Sequence, residues 1–293
     1  MSTSWDFHEG DEIVPGLAAM RLLGGGSSYE AYLAFDDHFY SPVVVKVVRP
    51  NLTEDRQTIR GLQREVEILK LLNHPVIVRG FHADLTGARP LMVLESLDGP
   101  RLSSLIRRHG PLPLQQLMPL AVELCSAAHY LRQMDIVHLD IKPSNIIMGA
   151  PAKLIDLSVA RSSDAAAALT DPIGTDAYMS PEQCLPKPGR SPTFATDIWG
   201  IGVTLFHAAA GYRPFDKGVK DEDAPAAEQW PQLEVAPYEL PKFVPDVVGK
   251  LIYACLDPDP TQRPTPIELA ELVSPVMEAL PKPRLSGFKI SAT

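Results

Sequence analysis

The hydrophobic pattern of this chain changes period once, and that change constrains its fold more than any other feature. Before Asp98-Gly99-Pro100, short apolar or alternating runs predict strands over Leu17 to Leu23, Tyr29 to Phe35, Val43 to Val48, Val76 to His82 and Leu91 to Glu95. One helix interrupts them between Thr53 and Leu72. There Ile59, Leu62, Val66, Leu69 and Leu72 recur every three or four residues before the stop Asn73-His74-Pro75. Beyond the turn, helical spacing takes over at Arg101 to His109, Gln115 to Met134, Thr196 to Ala210, Val244 to Cys255 and Pro266 to Val276. Two short strands, Ile146 to Met148 and Lys153 to Ile155, flank Gly149-Ala150-Pro151. The pattern predicts an α+β chain in two lobes, with residues 1–96 as a small sheet lobe carrying one helix and 97–276 as a larger helical lobe. Residues 277–293 are expected to form a tail, loosest from Pro281, and Lys217 to Glu239 a long surface loop.

Composition narrows the function classes. A net charge of −9 argues against a nucleic-acid partner or capture by an anionic membrane. Three cysteines without a C-x-x-C pair suggest neither a disulfide framework nor a zinc knuckle, which fits the reducing cytoplasm. The opening MSTSWDFHEGDE has no apolar core, so no secretory leader is expected. The longest apolar stretch, Ile198 to Gly211, is broken by Thr204 and His207 and is too short to span a bilayer. It predicts a buried helix.

The chemistry-bearing residues follow one another in order. Leu23-Gly24-Gly25-Gly26-Ser27-Ser28-Tyr29-Glu30-Ala31 joins the first two strands, and such glycines let a hairpin backbone turn its N–H groups toward phosphates. Lys46 lies in the apolar strand Val43 to Val48, and Glu65 lies on the helix beside Val66 and Leu69. The segment Ile136-Val137-His138-Leu139-Asp140-Ile141-Lys142-Pro143-Ser144-Asn145-Ile146-Ile147 then carries a carboxylate, an ammonium and an amide within six residues. That set can take a proton, neutralise a phosphoryl group and ligate a metal. Asp156, after Lys153-Leu154-Ile155, supplies a second hard oxygen ligand.

With these segments in this order, the chain resembles the protein kinases, specifically the serine/threonine kinases of bacterial type. The resemblance spans roughly residues 10 to 276, and Gly174-Thr175, Tyr178-Met179, Ser180-Pro181-Glu182, Asp197-Ile198-Trp199-Gly200 and Arg263-Pro264-Thr265 extend it. It implies a bilobal kinase fold with a five-stranded antiparallel sheet, and transfer of the γ-phosphate of ATP to Ser or Thr hydroxyls of a protein substrate. Under it, Asp140 is the base, Lys142 meets the γ-phosphate, and Asn145 and Asp156 hold magnesium, for which manganese could substitute. Lys46 meets the α- and β-phosphates and is positioned by Glu65. Leu23, Gly24, Gly25, Gly26, Ser27, Ser28, Ala31, Val44, Leu94, Glu95, Leu97 and Ile147 surround the nucleotide, with Leu94 as gatekeeper and Glu95 to Leu97 as hinge. Thr175 is expected to contact Asp140 and Lys142, and Glu182 to pair with Arg263.

Four departures qualify the likeness. Tyr29 replaces the third glycine of the phosphate loop, which implies weaker phosphate contact there. Leu157 and Ser158 replace Phe and Gly after Asp156. Ala31 and Val44 exchange the sizes usual at those two positions, implying a conserved adenine-pocket volume. Leu139 replaces the arginine that reads a phosphorylated activation loop, leaving Arg161 as the cation placed to do so. Two further readings stay open: a nucleotide-binding pseudokinase scaffold, and a kinase-like small-molecule phosphotransferase. The length leaves no room for a sensor domain, so control by a regulatory protein partner is a further expectation.

Overall fold

The computed structural model describes residues 3–221 and 223–281. Six strands form one antiparallel sheet in the order β1-β2-β3-β4-β6-β5: β1 (Glu12–Val14), β2 (Leu17–Gly25), β3 (Tyr29–Asp36), β4 (Ser41–Val48), β5 (Gly80–Asp84) and β6 (Leu91–Glu95). That is one strand more than the sequence predicted. The added strand is only three residues long, too short for alternation to show, and turns back onto β2 with Val14 opposite Leu17. In β4, Val43, Val45 and Val47 are buried on one face, so the period of two puts Val44 and Lys46 together on the other. Helix α1 (Arg56–Leu71) starts three residues later than predicted because the Asp55 carboxylate caps it, accepting from Thr58 N at 2.7 Å. The apolar run from Val76 enters the sheet only at Gly80. Val76 and Val78 instead exchange backbone bonds with Leu154, further along the chain.

The rear of the sheet is covered by a segment that the sequence presents as merely polar. Trp5 and Phe7 pack against Tyr32, Val45 and their neighbours, the Trp5 indole donates to Val48 O at 2.8 Å, and the Arg89 guanidinium lies 5.0 Å from both rings. Two aromatic side chains among acids are enough to close a small core.

Helices α2 (Leu102–His109) and α3 (Leu114–Gln133) lead into the short pairs that carry the polar loop: β7 (Ile136–Val137) with β10 (Arg161–Ser162), and β8 (Ile146–Ile147) with β9 (Lys153–Leu154). Then follow α4 (Ser163–Ala167), α5 (Pro181–Cys184), α6 (Phe194–Ala210), α7 (Ala226–Gln229), α8 (Asp246–Cys255) and α9 (Pro266–Ala279). Helix α6 is the buried apolar stretch, capped by Thr193 at one end and by Gly211 at the other. Helix α9 runs three residues past its expected end, and the rest of the expected tail, residues 282–293, lies outside the described residues. The stretch Lys217 to Glu239 is more than a surface loop. Its Gln232 is buried, and the side-chain amide donates to Asp176 O at 2.7 Å and Met179 O at 3.2 Å. Among the described residues, no helix is long and apolar enough to cross a membrane.

Candidate active site

A cavity of about 870 Å³ opens where the β2–β3 turn, the outer face of β4, the Glu95 to Gly99 connection and the polar loop meet. Leu23, Gly24, Gly25, Gly26, Ser27, Ser28, Ala31, Val44, Lys46, Glu65, Leu94, Glu95, Leu97, Lys142, Asn145, Ile147 and Asp156 all line it. Asp140 stands beside it, bonded to Lys142. Tyr29, Val78, Arg21, Arg101 and Ile155 line it as well, and sequence reasoning did not place them there as contacts. Tyr29, inside the glycine turn, and Ile155, next to Asp156, carried a sequence signal that could have found them. A second cavity of about 300 Å³, walled by Pro111, Leu117, Phe243 and neighbouring apolar residues, has no ionisable group in its lining and so offers no such chemistry.

Three groups meet at the inner end. Lys46 Nζ donates to Glu65 Oε2 at 2.7 Å and to Asp156 Oδ1 at 3.2 Å. Burial alone would push this ammonium down, but the two carboxylates outweigh burial and hold it up. Burial likewise raises the Glu65 carboxyl, while Lys46 keeps Asp156 well below the usual carboxylate range despite its burial. Glu65 Oε1 also accepts from Leu157 N at 3.3 Å, so one carboxylate joins α1 to the segment after Asp156.

The polar loop is equally tied. Lys142 Nζ donates to Asp140 Oδ2 at 2.6 Å and to the Thr175 hydroxyl, and that hydroxyl donates to Asp140 Oδ1 at 2.7 Å. Asn145 Nδ2 donates to the Asp140 carbonyl and to Oδ2, each at 3.0 Å. An alcohol already donates to Asp140, the arrangement required of a group that accepts a hydroxyl proton. Among the described residues, Asn145 Oδ1 and Asp156 Oδ2 accept no hydrogen bond. A carboxylate and an amide oxygen are the hard donors that magnesium takes, and such an ion completes its shell with water and phosphate.

The rim is held from outside. Arg49 Nε donates to Gly26 O at 2.7 Å, while its Nη1 donates to Glu30 Oε1 at 2.9 Å and Thr3 O at 2.5 Å. The buried Glu30 also accepts from Trp5 N, so the opening residues brace the glycine turn. At the other rim the Glu95 carboxylate accepts from Lys153 Nζ at 2.6 Å and Arg79 N at 2.8 Å. The Glu95 backbone N–H donates to Arg79 O at 3.0 Å, so side chain and backbone together tie this rim to the stretch before β5.

From Asp156 to Glu182 the chain is anchored by packing. Leu139, Val137 and Ala166 form a small core with Val159, Leu169, Ile173 and Phe194. The far end is a fully buried fork, with Arg263 Nη1 and Nη2 donating to the Glu182 oxygens at 2.6 and 2.9 Å and its guanidinium 5.0 Å from the Trp199 ring.

Residues 17–274 match the protein kinase domain family. The chain belongs to that family. It is 33% identical over 203 residues to the serine/threonine-protein kinase PknB of Mycobacterium leprae, covering 66% of this chain and 32% of that protein. It is 34% identical over 261 residues to the "Probable serine/threonine-protein kinase PkwA" of Thermomonospora curvata, covering 86% and 33%. Against the serine/threonine-protein kinase PkaA of Streptomyces coelicolor the identity is 30% over 245 residues, covering 81% and 44%. This kinase-family chain thus spans about a third of the length of the first two relatives.

Proposed function

We propose that the chain transfers the γ-phosphate of ATP to serine or threonine hydroxyls of a protein substrate. The observation that carries this reading is the closed Lys46–Glu65 pair at 2.7 Å in the same cavity as Asp156, Asn145 and Lys142. A pseudokinase usually lacks one of these groups or Asp140, and none is missing. The Gly174-Thr175 and Ser180-Pro181-Glu182 elements favour a protein substrate over a small molecule. Residues 1–96 are the nucleotide lobe in this reading and 97–276 the substrate lobe. The cytoplasm, a protein substrate and a regulatory protein partner complete the assignment.

The substrate hydroxyl sits where the Thr175 hydroxyl now donates, against Asp140. Its oxygen attacks the γ-phosphorus, its proton passes to an Asp140 carboxylate oxygen, and the bond to the β,γ-bridging oxygen breaks to release ADP. Lys142 neutralises the transferring group, and Lys46, fixed by Glu65, neutralises the α- and β-phosphates. Asn145 and Asp156 are the residues that would hold magnesium, which would supply further charge neutralisation at the phosphates. The chain's own contribution is positioning before the reaction starts.

Labelled ATP with magnesium tests this reading, comparing wild type with Asp140→Asn on a generic basic protein and on the chain itself. Wild type should label Ser or Thr, and Lys46→Met and Asp156→Asn should each lose more than about ten-fold in kcat, or ~1.4 kcal/mol. Nucleotide binding with no transfer above the Asp140→Asn background establishes the pseudokinase instead.

A further inference from the structure

Two unusual residues meet at one point. Tyr29 stands at the end of the glycine turn, and Gly61 stands inside α1, where glycine is a poor helix former. The Tyr29 hydroxyl donates to Thr58 O at 2.8 Å, across the gap between the sheet and the first turn of α1. A Cβ on Gly61 would lie 3.1 Å from that hydroxyl, so the helix keeps its smallest residue where the tyrosine arrives. Thr58 and Gly61 precede Glu65 by seven and four residues, spacings that put all three on one helix face.

The same tyrosine reaches the other two parts of the cavity. Lys46 Nζ lies 4.8 Å from the centre of its ring, and its carbonyl accepts from Gly26 N at 3.0 Å. Burial raises the phenol above its ordinary value, so the hydroxyl remains a neutral donor.

We propose that Tyr29 is a positioning residue: it tethers α1 to the sheet so that the Lys46–Glu65 pair stays closed, and its ring steadies the ammonium. The inference rests on the kinase reading of the site. It assigns to Tyr29 a role opposite to the loss implied by its replacing a glycine. The helix is held by a bond built into the fold.

The variants Tyr29→Phe, Gly61→Ala and the double test it, with kcat and KM for ATP measured alongside amide hydrogen exchange across α1. Each single change should lower kcat about three- to thirty-fold, the range for one lost or displaced hydrogen bond, and speed exchange in α1. The double should be no slower than the slower single, because the alanine methyl crowds only the hydroxyl that phenylalanine lacks. In the phenylalanine background, Gly61→Ala should raise the melting temperature through helix propensity alone. Multiplicative losses in kcat overturn the proposal. So does a fall in melting temperature with kcat and α1 exchange unmoved, which makes Tyr29 a packing residue only. If wild type transfers no phosphate above Asp140→Asn, the kinase reading fails while exchange across α1 in Tyr29→Phe still decides the tether: faster exchange supports it, unchanged exchange overturns it.

Discussion

The backbone N–H of Leu139 donates to Asp197 Oδ1 at 2.9 Å, and Leu139 itself sits at φ +67°. That region costs a leucine ~1–2 kcal/mol, and the residue persists because His138 N also donates to the same carboxylate, at 2.8 Å. Asp140 follows directly, so the Asp197 carboxylate sets the position of the candidate base. Asp197→Asn turns an NH₂ toward one of the two donors. It should destabilise the chain by ~1–3 kcal/mol in urea and lower kcat without raising KM for ATP. Wild-type values in both would show that the loop positions itself.

Leu139 also accounts for the activation segment. Where an arginine would need a phosphate, the leucine packs with Ala166, Leu169, Ile173 and Phe194. Ser162 caps α4 and Ser163 donates to Asp135 at 2.6 Å, so both hydroxyls already have structural partners. Phosphatase-treated protein, and a variant with Ser162, Ser163 and Thr170 all changed to Ala, should keep nearly full activity on a separate substrate. The Ser162 cap should cost ~1 kcal/mol of stability and little else. Arg161 has a neighbouring cation, Arg64, that sequence reasoning did not place beside it. Activity lost on dephosphorylation and restored by rephosphorylation would show these two arginines reading the phosphate.

Ala31 pairs with Lys46 and Val44 with Leu33 across β3 and β4, so Ala31 and Val44 are diagonal neighbours, and both line the cavity. Val44 also faces Leu94 across β6. Ala31→Val alone should weaken nucleotide binding, and adding Val44→Ala should recover it, with a coupling on the order of 0.5–3 kcal/mol by calorimetric titration. Independent effects at the two positions would remove the compensation argument.

The Glu182–Arg263 fork predicts an acid limb of stability. Burial raises the Glu182 carboxyl, but the hydrogen bonds and charge of Arg263 outweigh it and hold the folded value below 4.5. The unfolded chain therefore takes up this proton first as pH falls. The stabilisation is complete above that ordinary value and is lost as pH drops through the lower folded one. Glu182→Gln should lack this acid limb and unfold ~3–5 kcal/mol more easily at neutral pH, since it strands a buried guanidinium. Matching acid unfolding curves for the two proteins would contradict this.

Much of the molecule follows from short-range sequence. The period of two in Val43 to Val48 puts Lys46 on the face opposite the buried Val43, Val45 and Val47, and helical spacing puts Glu65 on the inner face of α1. The residues from His138 to Asn145 are contiguous, so their inventory was legible before any fold was known. What only the tertiary structure decided involves partners far apart in sequence: Trp5 over the sheet, Arg49 on Gly26, Tyr29 on Thr58, Gln232 on Asp176. Trp5 and Phe7 read as stray aromatics in an acidic opening, and Tyr29 as a damaged glycine motif. No periodicity or spacing marks such pairs. Each exists because packing brings a side chain within hydrogen-bond reach of a backbone group 23 to 56 residues away, and that distance is set by the whole fold.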